Sequence, residues 1–226
     1  MNCLPATFYV VAGQIGQSGR LTEDNLRTLA RERNEIGSHG YTHRSLVRLK
    51  RNELKDELEK SKKALSAYGA RTFSYPFGCF DSRVVAEVAH YYDSARSYNT
   101  DVLPNRRSPL NRYSLSSFPV EGRFQTRIQP GTRDFIFSRD SLQSDAWFII
   151  TLHGRVSVDS LRIASTLKRS NLTKEQLQAY LRYVRARLSI RQQGVFLRYF
   201  ERFCSFLADN KDNITVTTVS GALEQF

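Results

Sequence analysis

Cysteine is scarce in this sequence, with only Cys3, Cys79 and Cys204 spread over 226 residues. An odd number so widely separated excludes a disulfide framework and a four-cysteine zinc site, and suits a reducing compartment. No apolar run approaches the ~18 residues that a membrane-spanning helix needs. The start, Met1-Asn2-Cys3-Leu4-Pro5, holds neither a basic leader nor the apolar stretch of a secretory signal. As given, the sequence predicts a soluble, cytoplasmic chain. Acidic residues are in deficit too: 22 Asp and Glu against 34 Lys and Arg leave a formal charge of +12. That balance attracts polyanions such as nucleic acid, acidic glycans or anionic lipid, and does not choose among them. There is no internal repeat, low-complexity tract or linker that would split the chain. The expectation is one domain over 1–226, long enough to bury about 70% of the surface its unfolded chain exposes, so that any metal would serve chemistry rather than stability.

What is present alternates between strand and helix patterns. Residues 6–12, Ala-Thr-Phe-Tyr-Val-Val-Ala, form an apolar, β-rich run ending at Gly13, which reads as a buried strand. Thr22 is placed to cap a helix with Glu23 and Asp24 in its first turn and Leu26, Leu29 and Ala30 at helical spacing up to Asn34. A second helix is predicted from Asn52 to Tyr68: Leu54, Leu58 and Leu65 make its apolar stripe, Glu57 and Lys60 to Lys63 a solvated face, and Gly69 its stop. Thr72 to Tyr75 reads as a strand entering a Pro-Phe-Gly turn. Ser82 opens a helix with Val84, Val85, Val88 and Ala89 inward, and Asp93 to Ser97 reads as a further strand. Such alternation argues for parallel pairing in an α/β fold. Four prolines interrupt the stretch from Asn99 to Asp145. Ala146 to Leu152 is a strong strand pattern ending at His153, where Trp147 fits core packing. Two helices around Leu177 to Leu188 and Phe196 to Leu207, then a strand from Ile214 to Val219, complete the chain.

Histidine, with four residues, is rare enough for its placement to carry information. His39 and His43 stand four apart, a spacing that on one helical turn puts both imidazoles on one side, where they can share a cation at ~2.0 to 2.1 Å from each ring nitrogen. His153 ends an apolar strand, a position where function often sits in α/β folds. Only His90 looks ordinary.

The surroundings of these histidines sharpen the picture. Glu35-Ile36-Gly37-Ser38-His39-Gly40-Tyr41-Thr42-His43-Arg44-Ser45-Leu46 resembles the metal-binding motif of the polysaccharide deacetylase family, the carbohydrate esterases built on the chitooligosaccharide deacetylase homology domain. In matching order, Pro5 to Val10 is similar to the family's second strand and Phe73-Ser74-Tyr75-Pro76-Phe77-Gly78 to its substrate-groove loop. Ile150 to His153 resembles the strand carrying its histidine acid, and Ile214 to Val219 its closing strand. The resemblance implies a distorted (β/α) barrel holding one divalent cation, usually zinc, with His39 and His43 as ligands. It further implies hydrolytic removal of acetyl groups from N-acetylated, or O-acetylated, glycan. The cation polarises the acetyl carbonyl and activates the attacking water. Tyr75, Pro76, Phe77 and Gly78 would form the groove, with the Phe77 amide donating to the oxyanion, and His153 would protonate the leaving amine.

The family's first motif is a strand ending in paired aspartates, one the catalytic base and the other the third metal ligand. Only five residues precede Ala6 here, and none is Asp, so the reading is of a barrel whose first strand is missing, an N-terminally truncated domain. Ser74 stands where many members carry an arginine, and Gly40 where Ser or Thr is usual. Asp24, Asp81, Asp93 and Asp101 are the other carboxylates that could in principle stand in, and none is assigned that place: Asp24 reads as first-turn helix chemistry and Asp81 as a turn residue. Two other functions compete: a catalytically inactive glycan-binding relative, and a basic nucleic-acid-binding protein using Arg182, Arg185, Arg187, Arg191, Arg198 and Arg202. No specific nucleic-acid signature accompanies those arginines, so a solvated basic face is the better account of them.

Overall fold

The computed structural model describes residues 4–98, 105–106, 110–119, 146–151 and 215–225. The first strand, β1 (Thr7–Val10), is followed by helix α1 (Glu23–Arg31), β2 (Glu35–Ser38), α2 (Arg51–Ala64), β3 (Thr72–Ser74), α3 (Ser82–Val88) and β4 (Ser94–Arg96). Their strands pair in sequence order, β1-β2-β3-β4, all parallel, the topology that alternation of strand and helix predicts. The row continues past β4. Leu115 bridges Arg96 in parallel, and β6 (Ser117–Pro119) pairs in parallel with β8 (Ile149–Thr151). A short antiparallel pair, β5 (Asn105–Arg106) with β7 (Ala146–Trp147), lies beside them. The fold is therefore mixed α/β around a parallel sheet; the described strands do not by themselves close the barrel.

Local chemistry accounts for the element ends. The Thr22 hydroxyl accepts from the Asn25 amide at 3.2 Å, and the Asn25 side chain accepts from Thr22 N at 2.9 Å, a reciprocal cap on α1. Asp81, read as a turn residue, caps α3 by accepting from Val84 N at 2.8 Å. The predicted 52–68 helix is α2 followed by a separate 3-10 turn, Ser66–Tyr68, ending at Gly69.

Two apolar layers pack the helices onto the sheet. Val10, Leu26, Ile36, Leu65 and Ala70 form one, between β1, β2 and the adjoining helices. Leu54, Leu58, Phe73, Val84, Val88 and Tyr92 belong to the other, between β3, β4 and α2, α3.

Three expectations need correction. Glu57 is not on a solvated face: it is 5% exposed, and Ser61 beside it on the helix is fully buried. Ala146 to Leu152 is not one continuous strand, because β7 pairs antiparallel and β8 parallel with different partners, with a break at Phe148. The Ile214–Val219 segment is not a closing strand. Thr215 to Thr218 carry no regular structure, and Val219–Gln225 is a helix, α4. Side-chain acceptors at its start decide this: Val219 N donates to Thr7 Oγ1 at 2.9 Å and Ser220 N to Glu35 Oε2 at 3.0 Å, satisfying helix-end donors that a strand would have sent to a neighbour. Helix α4 then packs Val219 and Leu223 against Leu115 and Ile149, with Tyr9 of β1 alongside, joining the two ends of the strand row. His153, Asp101, the predicted helices over 177–188 and 196–207 and their arginines lie outside the described residues.

Candidate active site

In parallel sheets the carboxyl ends of the strands gather the loops that carry function, and here those of β1, β2 and β3 bring the first two predicted histidines together. His39 directly follows β2, and its amide donates to Val10 O at 2.8 Å, extending the ladder with β1. The chain then turns. Ala12 N donates to Gly40 O at 3.0 Å and Gly13 N to Tyr41 O at 2.8 Å, so the segment after β1 holds one side of the turn. The approach is close enough that a Cβ on Gly13 would lie 2.6 Å from Tyr41 O. From the other side Glu57 of α2 accepts Tyr41 N, Thr42 N and the Thr42 hydroxyl at 2.9, 2.6 and 2.8 Å.

The His-x-x-x-His pair is therefore not on a helical turn as its spacing suggests. Gly40 at φ 78° and His43 at φ 62° fold the chain back on itself through left-handed backbone. The result at the rings is what the spacing implies, reached by another route: His39 Nε2 and His43 Nε2 stand 3.1 Å apart, ring centroids 4.7 Å. His39 Nδ1 lies 2.7 Å from Ser74 O. A carbonyl only accepts, so this contact places the proton on Nδ1 and leaves the Nε2 lone pair directed at His43, the arrangement that orients metal-binding histidines.

Two imidazoles bound tetrahedrally at ~2.0 to 2.1 Å from one zinc ion have nitrogens about 3.3 Å apart. The observed separation and the fixed tautomer fit two ligands of such an ion. Among the described residues no cluster of three or more His, Cys, Asp or Glu forms around them. The candidate carboxylates among the described residues are occupied elsewhere: Asp24 pairs with Arg27 at 3.0 Å, Asp93 with Arg71 at 2.6 Å, and Asp81 caps α3. His90 lines a separate surface cleft with Arg51, Lys55 and Glu87.

The groove segment adjoins the pair. Pro76–Gly78 forms a 3-10 turn after β3, with Phe77 at φ 62° and ψ 8°. The Phe77 ring is 57% exposed and meets His43 edge-on at 4.8 Å. Tyr75 is 2% exposed, stacks on Phe80 at 4.7 Å and donates its hydroxyl to Tyr113 O at 2.9 Å; burial pushes its phenol well above the usual tyrosine range. Pro76 is buried, and Gly78 N donates to Tyr75 O at 2.9 Å. Tyr75 and Pro76 thus anchor the turn while Phe77 faces outward beside the histidines. Ser74 has a consequence the sequence did not show: its carbonyl, not its side chain, meets His39.

The family model for Polysaccharide deacetylase matches residues 2–92, the stretch containing both histidines and the Pro76 turn. The match to the polysaccharide deacetylase family is carried by this stretch, less than half of the chain. Solved structures similar to the chain include a polysaccharide deacetylase from Bacillus cereus, 23% identical, covering 50% of this chain and 36% of that one at a TM-score of 0.45. A family 4 carbohydrate esterase from Streptomyces lividans in complex with acetate is 20% identical over 44% of this chain and 50% of that one, at a TM-score of 0.38. A Streptococcus pyogenes deacetylase in complex with acetate is 18% identical over 49% and 53%, at 0.43. The chain spans about a third of the length of the first of these structures. No curated protein matches it.

Glu57 is the site residue that the sequence reading missed. Counting along α2, it lies three residues after Leu54 and four before Ser61, at the edge of the buried stripe rather than opposite it. That periodicity was the available signal.

Proposed function

We propose that this chain acts as a metal-dependent hydrolase that removes acetyl groups from N-acetylated carbohydrate, O-acetylated glycan being the related alternative. The observation that carries the proposal is the 3.1 Å approach of His39 Nε2 and His43 Nε2, with the His39 tautomer set by Ser74 O. His39 and His43 would hold one divalent cation, taken to be zinc. When bound, it supplies Lewis-acid polarisation of the acetyl carbonyl and an activated water at neutral pH.

The chain's own residues do the rest. The Pro76–Gly78 turn presents the Phe77 amide to the developing oxyanion, a donor that needs no reorganisation as charge appears. The exposed Phe77 ring offers an apolar face to a sugar beside His43. His153 donates a proton to the departing amine, and to an alkoxide in the case of an ester. A carboxylate is needed to take the proton from the attacking water and to complete the ligand set; none of the described Asp or Glu has that place.

Acetate release from N-acetylglucosamine oligomers, with and without zinc, tests the proposal. Release should require the metal, and His39→Ala or His153→Ala should lower it by about 10²-fold or more. Tight oligomer binding with no acetate released at any zinc concentration would identify an inactive glycan-binding relative instead.

A further inference from the structure

A buried carboxylate is costly unless it is fully bonded or paired. Glu57 takes part in none of the ion pairs among the described residues. Its three bonds all go to Tyr41 and Thr42, the middle of the turn between the two histidines. Its neighbours on the same face of α2, Leu54, Leu58 and Ser61, are buried without charge, so the packing of the helix does not call for one here.

The turn does. His43 sits at φ 62°, a conformation that costs an L-residue with a β-carbon about 1 to 2 kcal/mol, and such conformations persist only where their surroundings over-determine them. The backbone bonds from Ala12 and Gly13 fix Gly40 and Tyr41. Among the described residues, Glu57 is the one that reaches Thr42, the residue next to His43. A Cβ on Gly40 would come within 3.1 Å of Glu57 Oε1, so the carboxylate also fills the hollow that this glycine leaves.

We propose that Glu57 is a positioning residue: it holds the left-handed turn that sets the separation and direction of the His39 and His43 rings, and through them the affinity for the cation. This rests on the reading of the two histidines as ligands.

The test uses the full chain freed of metal, as wild type, Glu57→Gln and Thr42→Val. Zinc binding is followed by calorimetry, the cobalt complex by its visible spectrum, and the metal-free imidazoles by nitrogen NMR. Glu57→Gln should bind zinc about 10-fold or more weakly, within the range for residues supporting metal ligands, with altered cobalt bands and shifted His43 ring signals. Thr42→Val, an exposed change that removes one bond of the three, should shift all three in the same direction by less. A merely structural Glu57 would lower the melting temperature and leave zinc affinity, cobalt bands and His43 signals as in the wild type, and that result overturns the proposal. If Glu57→Gln does not fold, unchanged values in Thr42→Val overturn it. If the wild type takes up no zinc, the ligand reading fails, and the metal-free His43 signals alone decide the positioning role.

Discussion

At the scale of single residues, the site depends on backbone conformation as much as on side-chain identity. His39 presents Nε2 because Ser74 O holds its Nδ1 proton, and His43 meets it because the chain passes through left-handed backbone at Gly40 and again at His43 itself. Gly40, read from the sequence as a departure from the usual Ser or Thr, is required by this geometry: any side chain there would be strained at φ 78° and crowd Glu57 Oε1. Gly40→Ala is therefore expected to cost about 1 to 2 kcal/mol of stability, measurable by urea denaturation, and to weaken zinc uptake.

At the scale of elements, one carboxylate organises the end of the sheet opposite the site. Glu35, at the start of β2, accepts from the hydroxyls of Thr7, Thr72 and Ser220 and from the Ser220 amide, at 2.6 to 3.0 Å. It thereby ties β1, β3 and α4 together. Glu35→Ala would leave these partly buried donors without their acceptor, and about 1 to 3 kcal/mol of stability should be lost, with faster hydrogen exchange of the α4 amides as the local signature. The same contact explains where the sequence was legible and where it was not. Thr22 announces a helix start because capping is local, and the β-branched and aromatic residues before Gly13 and Pro76 locate β1 and β3. The Ile214–Val219 run has equal β character, yet acceptors on Thr7 and Glu35, roughly two hundred positions away in the chain, take its end into α4. The burial of Glu57 is hidden in the sequence for a related reason: its partners, Tyr41 and Thr42, lie outside α2, and a charged residue at the edge of a stripe is assigned to water by composition alone. The pairing of His39 with His43 was legible from spacing, but its mechanism, two left-handed residues rather than a helical turn, was not.

At the scale of the whole molecule, buried tyrosines link the layers and set an alkaline limit. Burial is the main cause that pushes the Tyr9 phenol up to about 12, against the opposing pull of Arg96, whose guanidinium lies 4.6 Å from the ring centre. Burial likewise raises Tyr75 and Tyr92. For each the folded state favours the neutral phenol. Their contribution to stability is thus fully present below about pH 10, where the unfolded residues begin to ionise, and is lost as the pH rises toward the folded values. Exposed tyrosines should ionise near pH 10 with the fold intact, and the remaining tyrosinate absorbance, from Tyr9, Tyr75 and Tyr92, should appear only at higher pH together with the loss of circular dichroism; ionisation of these three near pH 10 with the fold retained would contradict this. The chemistry of the site turns on whether the two imidazoles converge on one ion. Anomalous diffraction from zinc-soaked crystals of the protein measures that directly. The predicted result is a single peak about 2.0 to 2.1 Å from both His39 Nε2 and His43 Nε2. Zinc bound elsewhere, with these rings turned away from each other, would contradict it.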